Sequence, residues 1–525
     1  MSRPALSSPA ESAELSGSKL GITMVVMIAA LMAMIDITIV NVALNDIRAS
    51  FGTPIDQIGW VSTGYMMANI VIIPMTGWFQ KRFGYKRYFA ASVLVFTLAS
   101  ALCSLAWNLP SLVLFRALQG LGGGAIIPTA QSILFARYPR KEHGMAAALF
   151  GLGAITGPLL GPSIGGYLID WASWHWIFTV NIPIGLGVAF LAWRFIDQPG
   201  FLKPEGAEAK VDRFGIVLLA VGMASLQYVL EEGNREGWLD SALIAVLAGV
   251  AAISLITFFI HELETEHPIV DLRVFKERSY AAGTGLNFLT GFALFSGSFM
   301  FSLYAGSVLH YSALDIGKVF LVAGSISVLV MPVIGRIGPK VDGRILLAIG
   351  VTVVAASQFV ASELTQAAGF WDAVRPNLMR SFGLGFIFIP VSVLALSGLS
   401  PEQRGNATGL FNLTRELGGS FGTALMGMVV SDGIKIHGSY LAESINPYSP
   451  SVQMQMQQLG ASVGSQTYQS ELVAETLLQA KVTTQAMVLS FESGFRWVAL
   501  AMSLGLVLVL FLKKPTSGVA PVGAH

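Results

Sequence analysis

Cysteine and charged residues are both scarce in this sequence. Of its 525 residues, 12% are charged and one is a cysteine, whereas 54% are hydrophobic. Cys103 has no second cysteine to pair with, so an internal disulfide is excluded, and we interpret it as a small core residue. The net charge of +1 and the lack of a dense basic run give no sign of a nucleic-acid partner. Apolar runs of about 20 residues recur along the chain instead, which is typical of a polytopic membrane protein.

Motifs for catalysis are missing as well. The chain has no GxxxxGK(S/T) phosphate-binding loop, so we expect no ATP hydrolysis by this chain. Its seven histidines are scattered, with no HExxH pair, and no nucleophile elbow occurs. We therefore predict a protein that is not an enzyme and that has neither a metal site nor a bound cofactor.

The apolar segments predict fourteen membrane-spanning helices. Lys and Arg collect on the cytoplasmic loops of membrane proteins, and this rule tests the count. With the N-terminus inside, 22 of the 32 Lys and Arg residues fall on the predicted cytoplasmic segments, and both termini are cytoplasmic. The predicted spans are 20–44, 56–79, 88–107, 110–135, 145–169, 176–195, 214–230, 239–260, 281–309, 313–335, 345–362, 376–397, 405–430 and 495–512.

Two stretches of the first half recur in the second. PMTGWFQKRFGYKR from Pro74 aligns with PVIGRIGPKVDGR from Pro332, at an offset of 258 (332 − 74). GMAAALFGLGAITGPLLG from Gly144 aligns with GNATGLFNLTRELGGSFG from Gly405, at an offset of 261 (405 − 144). Spans 2 and 5 thus correspond to spans 10 and 13, so spans 7 and 8 are an inserted pair between two six-span halves. An even shift in span number predicts parallel repeats related by an axis along the membrane normal.

These motifs resemble those of the major facilitator superfamily. GWFQKRFGYKR is similar to the superfamily's loop between spans 2 and 3, and LVLFRALQGLGGG is similar to its intramembrane arginine motif around Arg116. Lys81 departs from the pattern, because most members carry an acid there, so the gating role of that acid is not carried over to this chain. Close packing by the loop glycines is still expected. The loop 2–3 motif residues are Gly77, Lys81, Arg82, Gly84 and Lys86.

The span 5 stretch GPLLGPSIGG narrows the resemblance, because it is similar to the motif that marks antiporters. Its motif residues are Gly157, Pro158, Gly161, Pro162, Gly165 and Gly166. Together with the inserted pair and IDITIVNVAL around Asp36, it is similar to the fourteen-span EmrB/QacA family of drug:proton antiporters. The resemblance implies a multi-pass protein of the bacterial inner membrane, driven by the proton gradient.

The resemblance also implies the fold and its divisions. The fold class is an all-α polytopic membrane protein with the major facilitator fold, in which two six-helix halves are joined by two inserted helices. The expected divisions are a cytoplasmic tail at 1–19, the first half at 20–197, a linker with the inserted pair at 198–278, the second half at 279–512 with a long outer loop at 431–493, and a cytoplasmic tail at 513–525.

Glycines of span 5 repeat every fourth residue, at 153, 157, 161 and 165. They form one stripe that lets another helix approach at backbone distance. Pro158 and Pro162 each remove a backbone hydrogen bond and favour a bend. Plain close packing is one interpretation of this stripe, and a sliding interface between the two halves is the one that we favour.

Few ionisable residues lie inside the predicted spans, where each is destabilising unless it is paired or hydrated. A proton-coupling site needs an acid, because burial and hydration shift the pKa of an acid in opposite directions. We predict Asp36 as the proton carrier, with Glu416 as the alternative carrier. Arg116 is predicted to be the basic residue that reaches the same cavity. For both acids the alternative is a fixed salt bridge to an arginine. The predicted substrate cavity contains Asp36, Asn41, Gln119, Asn412 and Arg415.

The predicted function is proton-coupled export of bulky amphipathic drugs by alternating access. Two clear acids stand in the spans against three arginines (Arg116, Arg380 and Arg415), so neutral or weakly acidic compounds are expected as readily as cations. The alternatives are a stand-alone transporter for one metabolite, a receptor or channel, and a membrane-embedded enzyme.

The segment 431–493 is too long for a simple connection, and SELVAETLLQAKVTTQAM within it has an amphipathic helical pattern. It is either a flexible outer loop or a docking surface. The family resemblance implies docking to a periplasmic membrane-fusion adaptor (EmrA-like) and an outer-membrane channel (TolC-like).

Overall fold

Helices account for the regular structure of this chain. The computed structural model describes residues 19–54, 57–139, 142–197, 211–338, 340–445, 449–462 and 468–513, and within these ranges it contains no β-strand. Most of both predicted cytoplasmic tails and the linker residues 198–210 lie outside the described residues. The helices of the first half are α1 (Lys19–Phe51), α2 (Trp60–Phe83), α3 (Tyr85–Ser104), α4 (Leu109–Arg137), α5 (His143–Trp171), α6 (Trp176–Thr179) and α7 (Asn181–Phe195).

The remaining helices form the inserted pair and the second half. The inserted pair is α8 (Arg213–Glu236) and α9 (Ala242–Glu264). The second half contains α10 (Arg278–Ser307), α11 (Ala313–Ile337), α12 (Gly343–Ser362), α13 (Phe370–Ser397), α14 (Pro401–Ser444), α15 (Pro450–Ser462), α16 (Tyr468–Ser503) and α17 (Gly505–Phe511).

Eleven helical segments of the described residues are long and apolar enough to cross a membrane. The α6–α7 pair counts as one such segment, and so does most of α16 together with α17, from Ala474 to Phe511. The predicted spans 2, 5 and 13 lie in α2, α5 and α14, which have 24, 29 and 44 residues but are not among the eleven. A multi-pass membrane protein is therefore confirmed, whereas the number fourteen stays a prediction.

The internal repeat is visible in how the two halves meet. A Cβ added to Gly77 in α2 would contact the backbone of Asn406 at the start of α14. Likewise, a Cβ added to Gly335 in α11 would lie 2.9 Å from the Cβ of Ala148 near the start of α5. Gly335 is the repeat of Gly77 (335 − 77 = 258), so the two interfaces are equivalent. Both lie at the end of the bundle where α2 ends and α3 begins, which we call the loop 2–3 end.

The two inserted helices have different surroundings. α8 packs against α2 of the first half and α14 of the second half, and α9 packs against α8. α9 exposes a row of large apolar side chains, including Ile253, Ile256 and Phe259. α8 is therefore part of the contact between the halves, and α9 presents the outer, apolar surface of the pair.

Two helices of the second half are much longer than a membrane span. At 1.5 Å per residue, α14 and α16 are about 66 Å and about 54 Å long, against about 30 Å for the bilayer core. They pack side by side where Gly433 meets Ser490. The described residues of 431–493 are thus mainly helical, and the amphipathic helix predicted within them is confirmed as part of α16.

Candidate functional site

Asp36, near the middle of α1, is the centre of a buried polar network. Its Oδ2 accepts a hydrogen bond from Nη1 of Arg116 in α4 at 2.6 Å. Its Oδ1 accepts from Nε2 of Gln119 and from Nδ2 of Asn181, both at 2.8 Å. Asp36, Gln119 and Ser100 have no exposed surface, and the last of these accepts from both amides. The carboxylate is therefore paired and bonded on both oxygens.

Arg116 is held on all sides by the first half. Its Nη1 also donates to Gln119 Oε1 at 2.8 Å, and its Nε donates to the carbonyl oxygen of Val61 in α2 at 3.3 Å. The guanidinium carbon lies 4.2 Å from the ring centroid of Tyr65 and 5.7 Å from that of Phe178. Arginine suits this place because its planar group donates in several directions and stacks on aromatic rings.

Local sequence explains how these groups converge. Arg116 and Gln119 are three residues apart on α4 and so share one face of the helix. The sixth predicted span comprises α6 and α7, and Asn181 is the first residue of α7. Glycines of α4 allow α2 to approach closely, since a Cβ on Gly123 would overlap the hydroxyl of Tyr65.

A cavity of about 420 Å³ lies next to this network, between the halves, at the end of the bundle opposite the loop 2–3 end. Its apolar wall includes Tyr65, Met66, Phe295 and Phe299, and its size falls within the range of drug-binding pockets, which is roughly 300–1,000 Å³. The polar and charged groups of its wall are Asn41, Ser62, Thr63, Arg116, Glu231, Glu232, Asn234, Glu416, Ser420 and Thr423.

Of the five predicted cavity residues, Asn41 lies on the described cavity wall and the other four do not. Asn41 lines the cavity, where it accepts a hydrogen bond from Ser62 at 3.1 Å. Asp36 and Gln119 lie behind the wall and reach it only through Arg116. Asn412 is buried at the interface of the halves, where its amide donates to Gln131 at 2.6 Å. Arg415 is 3% exposed and is not on the described cavity wall.

Glu416 is on the cavity wall and is paired. Its Oε1 accepts from Nη2 of Arg415 at 3.3 Å. The fixed salt bridge considered for both acids is thus the observed arrangement in this conformation. The two sites still differ, because Asp36 accepts from three side chains and is fully buried, whereas 14% of the Glu416 side chain is exposed.

The second half repeats the shape of the network without its acid. At the offset of 261, Asp36 corresponds to Gly297 (297 − 36 = 261), and Arg380 lies within three residues of the position that this offset assigns to Arg116 (380 − 116 = 264). The structure brings these positions together, since a Cβ on Gly297 would lie 2.6 Å from Nη1 of Arg380. Arg380 is 5% exposed and donates to Asn377 at 2.9 Å. The halves therefore agree in shape and differ in charge.

The glycine stripe of α5 is tightly packed, as predicted, but its partner is α1. A Cβ on Gly157 would overlap Met34, one on Gly161 would overlap Thr38, and one on Gly165 would lie 2.8 Å from Ile39. The expected sliding interface between the halves is wrong for this face. Gly166 has open space around it, and the side chains of Pro158 and Pro162 lie outside the described part of the chain.

The loop 2–3 motif also contributes to close helix packing. Gly77 meets the backbone of α14, and Gly84 ends α2 with φ +80°, a conformation that favours glycine. The guanidinium of Arg82 lies 5.2 Å from the ring centroid of Trp78, and Nζ of Lys86 lies 5.2 Å from that of Trp193. Among the described residues, Lys81 is in no ion pair.

Sequence reasoning missed two sets of site residues. Asn181 and Ser100 are uncharged, and polar residues of this kind are common in membrane helices, so no pattern distinguished them. Glu231 and Glu232 follow directly after the predicted end of span 7 at residue 230, whereas α8 continues to Glu236. A helix that continues by one and a half turns places both acids inside the bundle instead of in a loop.

Comparisons with known proteins agree with this architecture. The Major Facilitator Superfamily model matches residues 26–423. The multidrug export protein EmrB of Haemophilus influenzae is 34% identical over 96% of this chain and 97% of the relative. EmrB of Escherichia coli (strain K12) is 31% identical over the same shares. The crystal structure of the human organic anion transporter MFSD10 (TETRAN) has a TM-score of 0.59 at 12% identity and covers 92% of this chain and 99% of that one, which shows a shared fold.

The fold, the repeat and the match over nearly the whole length point to one group of proteins. The chain belongs to the major facilitator superfamily, and within it to the family of the EmrB multidrug export proteins.

Proposed function

We propose that this protein is a proton-coupled antiporter that exports bulky amphipathic compounds by alternating access. The observation that carries the proposal is a fully buried acid, Asp36, joined by Arg116 to the wall of a cavity between the two halves. Ionisable groups inside a membrane protein mark transport pathways. The names of the EmrB relatives support drugs as the substrate class.

The sidedness of the protein follows from its positive charges. The loop 2–3 end carries Lys81, Arg82 and Lys86, and by the positive-inside rule this supports an orientation in which that end and both termini face the cytoplasm. The membrane in this proposal is the bacterial inner membrane. The halves touch at that end, and the cavity lies at the other. The conformation is then closed to the cytoplasm, with its cavity toward the outer side.

Asp36 is the proton carrier in this proposal. Protonation removes the negative charge that Arg116 faces, which leaves a buried guanidinium without its ion pair. This destabilises the present packing of α1 against α4 and favours the opposite conformation. On the cytoplasmic side the proton leaves as substrate binds, and the ion pair forms again. No cofactor beyond the proton gradient and no catalytic group is needed.

Proton release tests the proposal. In energised inverted vesicles, addition of a transported compound should release protons from the lumen, and the release should require the protein. A receptor, a channel or an enzyme would give no substrate-dependent proton flux. A diverse compound panel then separates a multidrug exporter from a transporter of one metabolite.

The long helices α14 and α16 support a second part of the proposal, a partnership with an adaptor. They exceed the length of a membrane span by about 24–36 Å, and we place the extension on the outer side. An EmrA-like adaptor and a TolC-like outer-membrane channel would receive substrate there. Site-specific cross-linking from Tyr440 or Met454, which are 69% and 60% exposed, to the adaptor is the test. A variant that exports normally without this extension would contradict the partnership.

A further inference from the structure

The cavity wall contains a helix that the two-half architecture does not require. α8 of the inserted pair closes the gap between α2 and α14, and it contributes Leu230, Glu231, Glu232 and Asn234 to the wall. The inserted helices are therefore not merely an outer layer of the bundle. One of them places acidic side chains where a compound in the cavity would meet them.

Each charged side chain of the described cavity wall except Glu231 has an ion-pair partner, although Arg235 is shared between Glu232 and Glu236. Arg116 is paired with Asp36 at 2.6 Å, Glu416 with Arg415 at 3.3 Å, and Glu232 with Arg235 at 3.0 Å. Among the described residues, no basic group lies in an ion pair with Glu231.

A neighbouring amide holds the Glu231 carboxylate in position. Nε2 of Gln227, one turn earlier on α8, donates to its Oε1 at 2.9 Å. Gln227 is 2% exposed, so the donor is fixed by burial. The bond orients the carboxylate without neutralising it. A carboxylate that is oriented toward a cavity and has no basic partner can form a charge-assisted contact with a cation that enters the cavity.

The other groups around the cavity suit the same ligand. Tyr65, Phe295 and Phe299 lie on the wall, and aromatic faces attract cations in addition to burying apolar surface. A volume of about 420 Å³ accommodates a compound with several rings. Within the described residues, no group of three or more potential metal ligands occurs, so an organic cation fits the site better than a metal ion.

We propose that Glu231 of the inserted helix α8 is a specificity-determining residue that binds the cationic group of amphipathic substrates in this cavity. The inference rests on the proposed export function and names a substrate class for it. It also changes the charge balance expected from the sequence, in which only Asp36 and Glu416 were counted as acids of the spans. Neutral and anionic compounds would use the aromatic wall without this carboxylate.

Two probes of equal shape and opposite charge test the inference, namely tetraphenylphosphonium and tetraphenylborate. The assay is equilibrium binding to the purified full chain. In Glu231→Gln we expect affinity for tetraphenylphosphonium to fall roughly tenfold or more, the loss of one charge-assisted contact, with affinity for tetraphenylborate unchanged or increased. Glu231→Asp should keep most of the cation affinity.

Two further variants distinguish the loss of the Glu231 charge from a general folding defect. Glu236→Gln makes the same charge change five residues later on α8, off the described cavity wall, and should bind both probes as the parent protein does. Asn234→Lys adds a positive charge at an exposed position of the wall and should weaken tetraphenylphosphonium binding selectively.

Equal binding of tetraphenylphosphonium by the parent chain and Glu231→Gln, including no binding by either, would overturn the inference. So would an equal loss for both probes. The export proposal stands or falls separately, on substrate-dependent proton release with other compounds.

Discussion

Asp36 and Arg116 form an ion pair whose stability depends on its neighbours. Taking two charges out of water is strongly unfavourable, and their attraction compensates only when additional hydrogen bonds satisfy the remaining atoms. Here Gln119 and Asn181 bond the second carboxylate oxygen, and the Val61 carbonyl accepts from the guanidinium. The pair is therefore stable in this conformation and sensitive to the loss of one charge, which is the property that a proton-driven switch requires.

Asp36→Asn should give an inserted, folded protein that binds substrate but no longer exports it against a gradient. The amide cannot exchange a proton, so the two conformations are no longer coupled to the gradient. Removing one partner of a buried pair costs about 3–5 kcal/mol, so the thermal midpoint in detergent should also fall. Substrate-driven proton release in vesicles, with binding to the purified protein, measures both effects.

Glu416→Gln is the matched comparison, because it removes one negative charge from a pair at 3.3 Å on the cavity wall. We expect a milder loss of export. If Asp36→Asn retains transport that depends on the proton gradient, the carrier is Glu416 or another acid.

Arg116→Lys should abolish proton-coupled export, although it keeps the charge. A lysine ammonium cannot bond Asp36 and the Val61 carbonyl together while it stacks on Tyr65, as the guanidinium does. Arg380→Lys is the control in the second half, where the guanidinium donates to the side chain of Asn377. Its export should stay within a few-fold of the parent. Similar losses in both variants would show that intramembrane arginines act here through general stability.

The residues of the network were predictable to different degrees. Asp36, Arg116 and Gln119 could be proposed from the sequence because charges within apolar spans are rare and one helix turn separates the last two. The bonds to Asn181 and Ser100 depend on where α3 and the α6–α7 pair pack, and no local pattern encodes that. The position of Glu231 depends on the true end of α8.

At the scale of single helices, α5 has two faces with different tasks. Gly157, Gly161 and Gly165 face α1, the helix of Asp36, whereas Ala148 and Gly151 face the second half at Gly335 and Met331. The repeat of four glycines predicted close packing correctly. It could not tell which helix was the partner, because a stripe of small residues fits any neighbour.

Gly161→Ala should weaken the packing of α5 on α1. Its Cβ would overlap the Thr38 side chain, and Thr38 must then leave its hydrogen bond with the Ile35 carbonyl, now at 3.2 Å. Overpacking of this kind costs roughly 1–3 kcal/mol, so both the thermal midpoint and export should fall. A scan of purified protein and a resistance assay are the measurements.

Gly166→Ala belongs to the same motif but would add its Cβ to open space. It should leave export unchanged and stabilise α5 by up to about 1 kcal/mol through helix propensity. Equal effects of the two substitutions would mean that the contact with Thr38 has no importance for stability.

The full length of the last helices was not predictable from the spans. Span 13 was predicted to end at residue 430, because hydropathy falls there, but α14 continues to Ser444. The polar stretch is still helical because α16 packs along it, with Gly433 against Ser490. A hydropathy boundary marks where a helix leaves the membrane, and it does not mark where the helix ends.

For the molecule as a whole, the repeat and the cavity together indicate how the two halves move relative to each other during transport. Equivalent glycine contacts, Gly77 on α14 and Gly335 on α5, hold the halves together at the loop 2–3 end. The cavity separates them at the other end. Alternating access then requires the glycine contacts to open while the cavity end closes. The two-half plan followed from the sequence repeat, but the conformation did not, because the same sequence must form both states.

A disulfide across the glycine contact should stop transport. The Cβ positions of residues 148 and 335 lie 2.9 Å apart, close to the roughly 3.5–4.5 Å of a disulfide, so Ala148→Cys with Gly335→Cys can be bridged after a small shift. Cys103→Ser removes the only native thiol and keeps a hydroxyl beside Gln119. After oxidation with a membrane-permeant reagent, export should cease and reduction should restore it, while binding from the cavity side persists.

The control is Gly433→Cys with Ser490→Cys, whose Cβ positions are 3.0 Å apart but which joins α14 and α16 within one half. This cross-link leaves the contact between the halves free, so export should continue after oxidation. Mass spectrometry of the cross-linked peptides gives the yield in both variants. Full export by the 148–335 variant after complete cross-linking would mean that the loop 2–3 end stays closed throughout the cycle, and that the halves do not alternate about this contact.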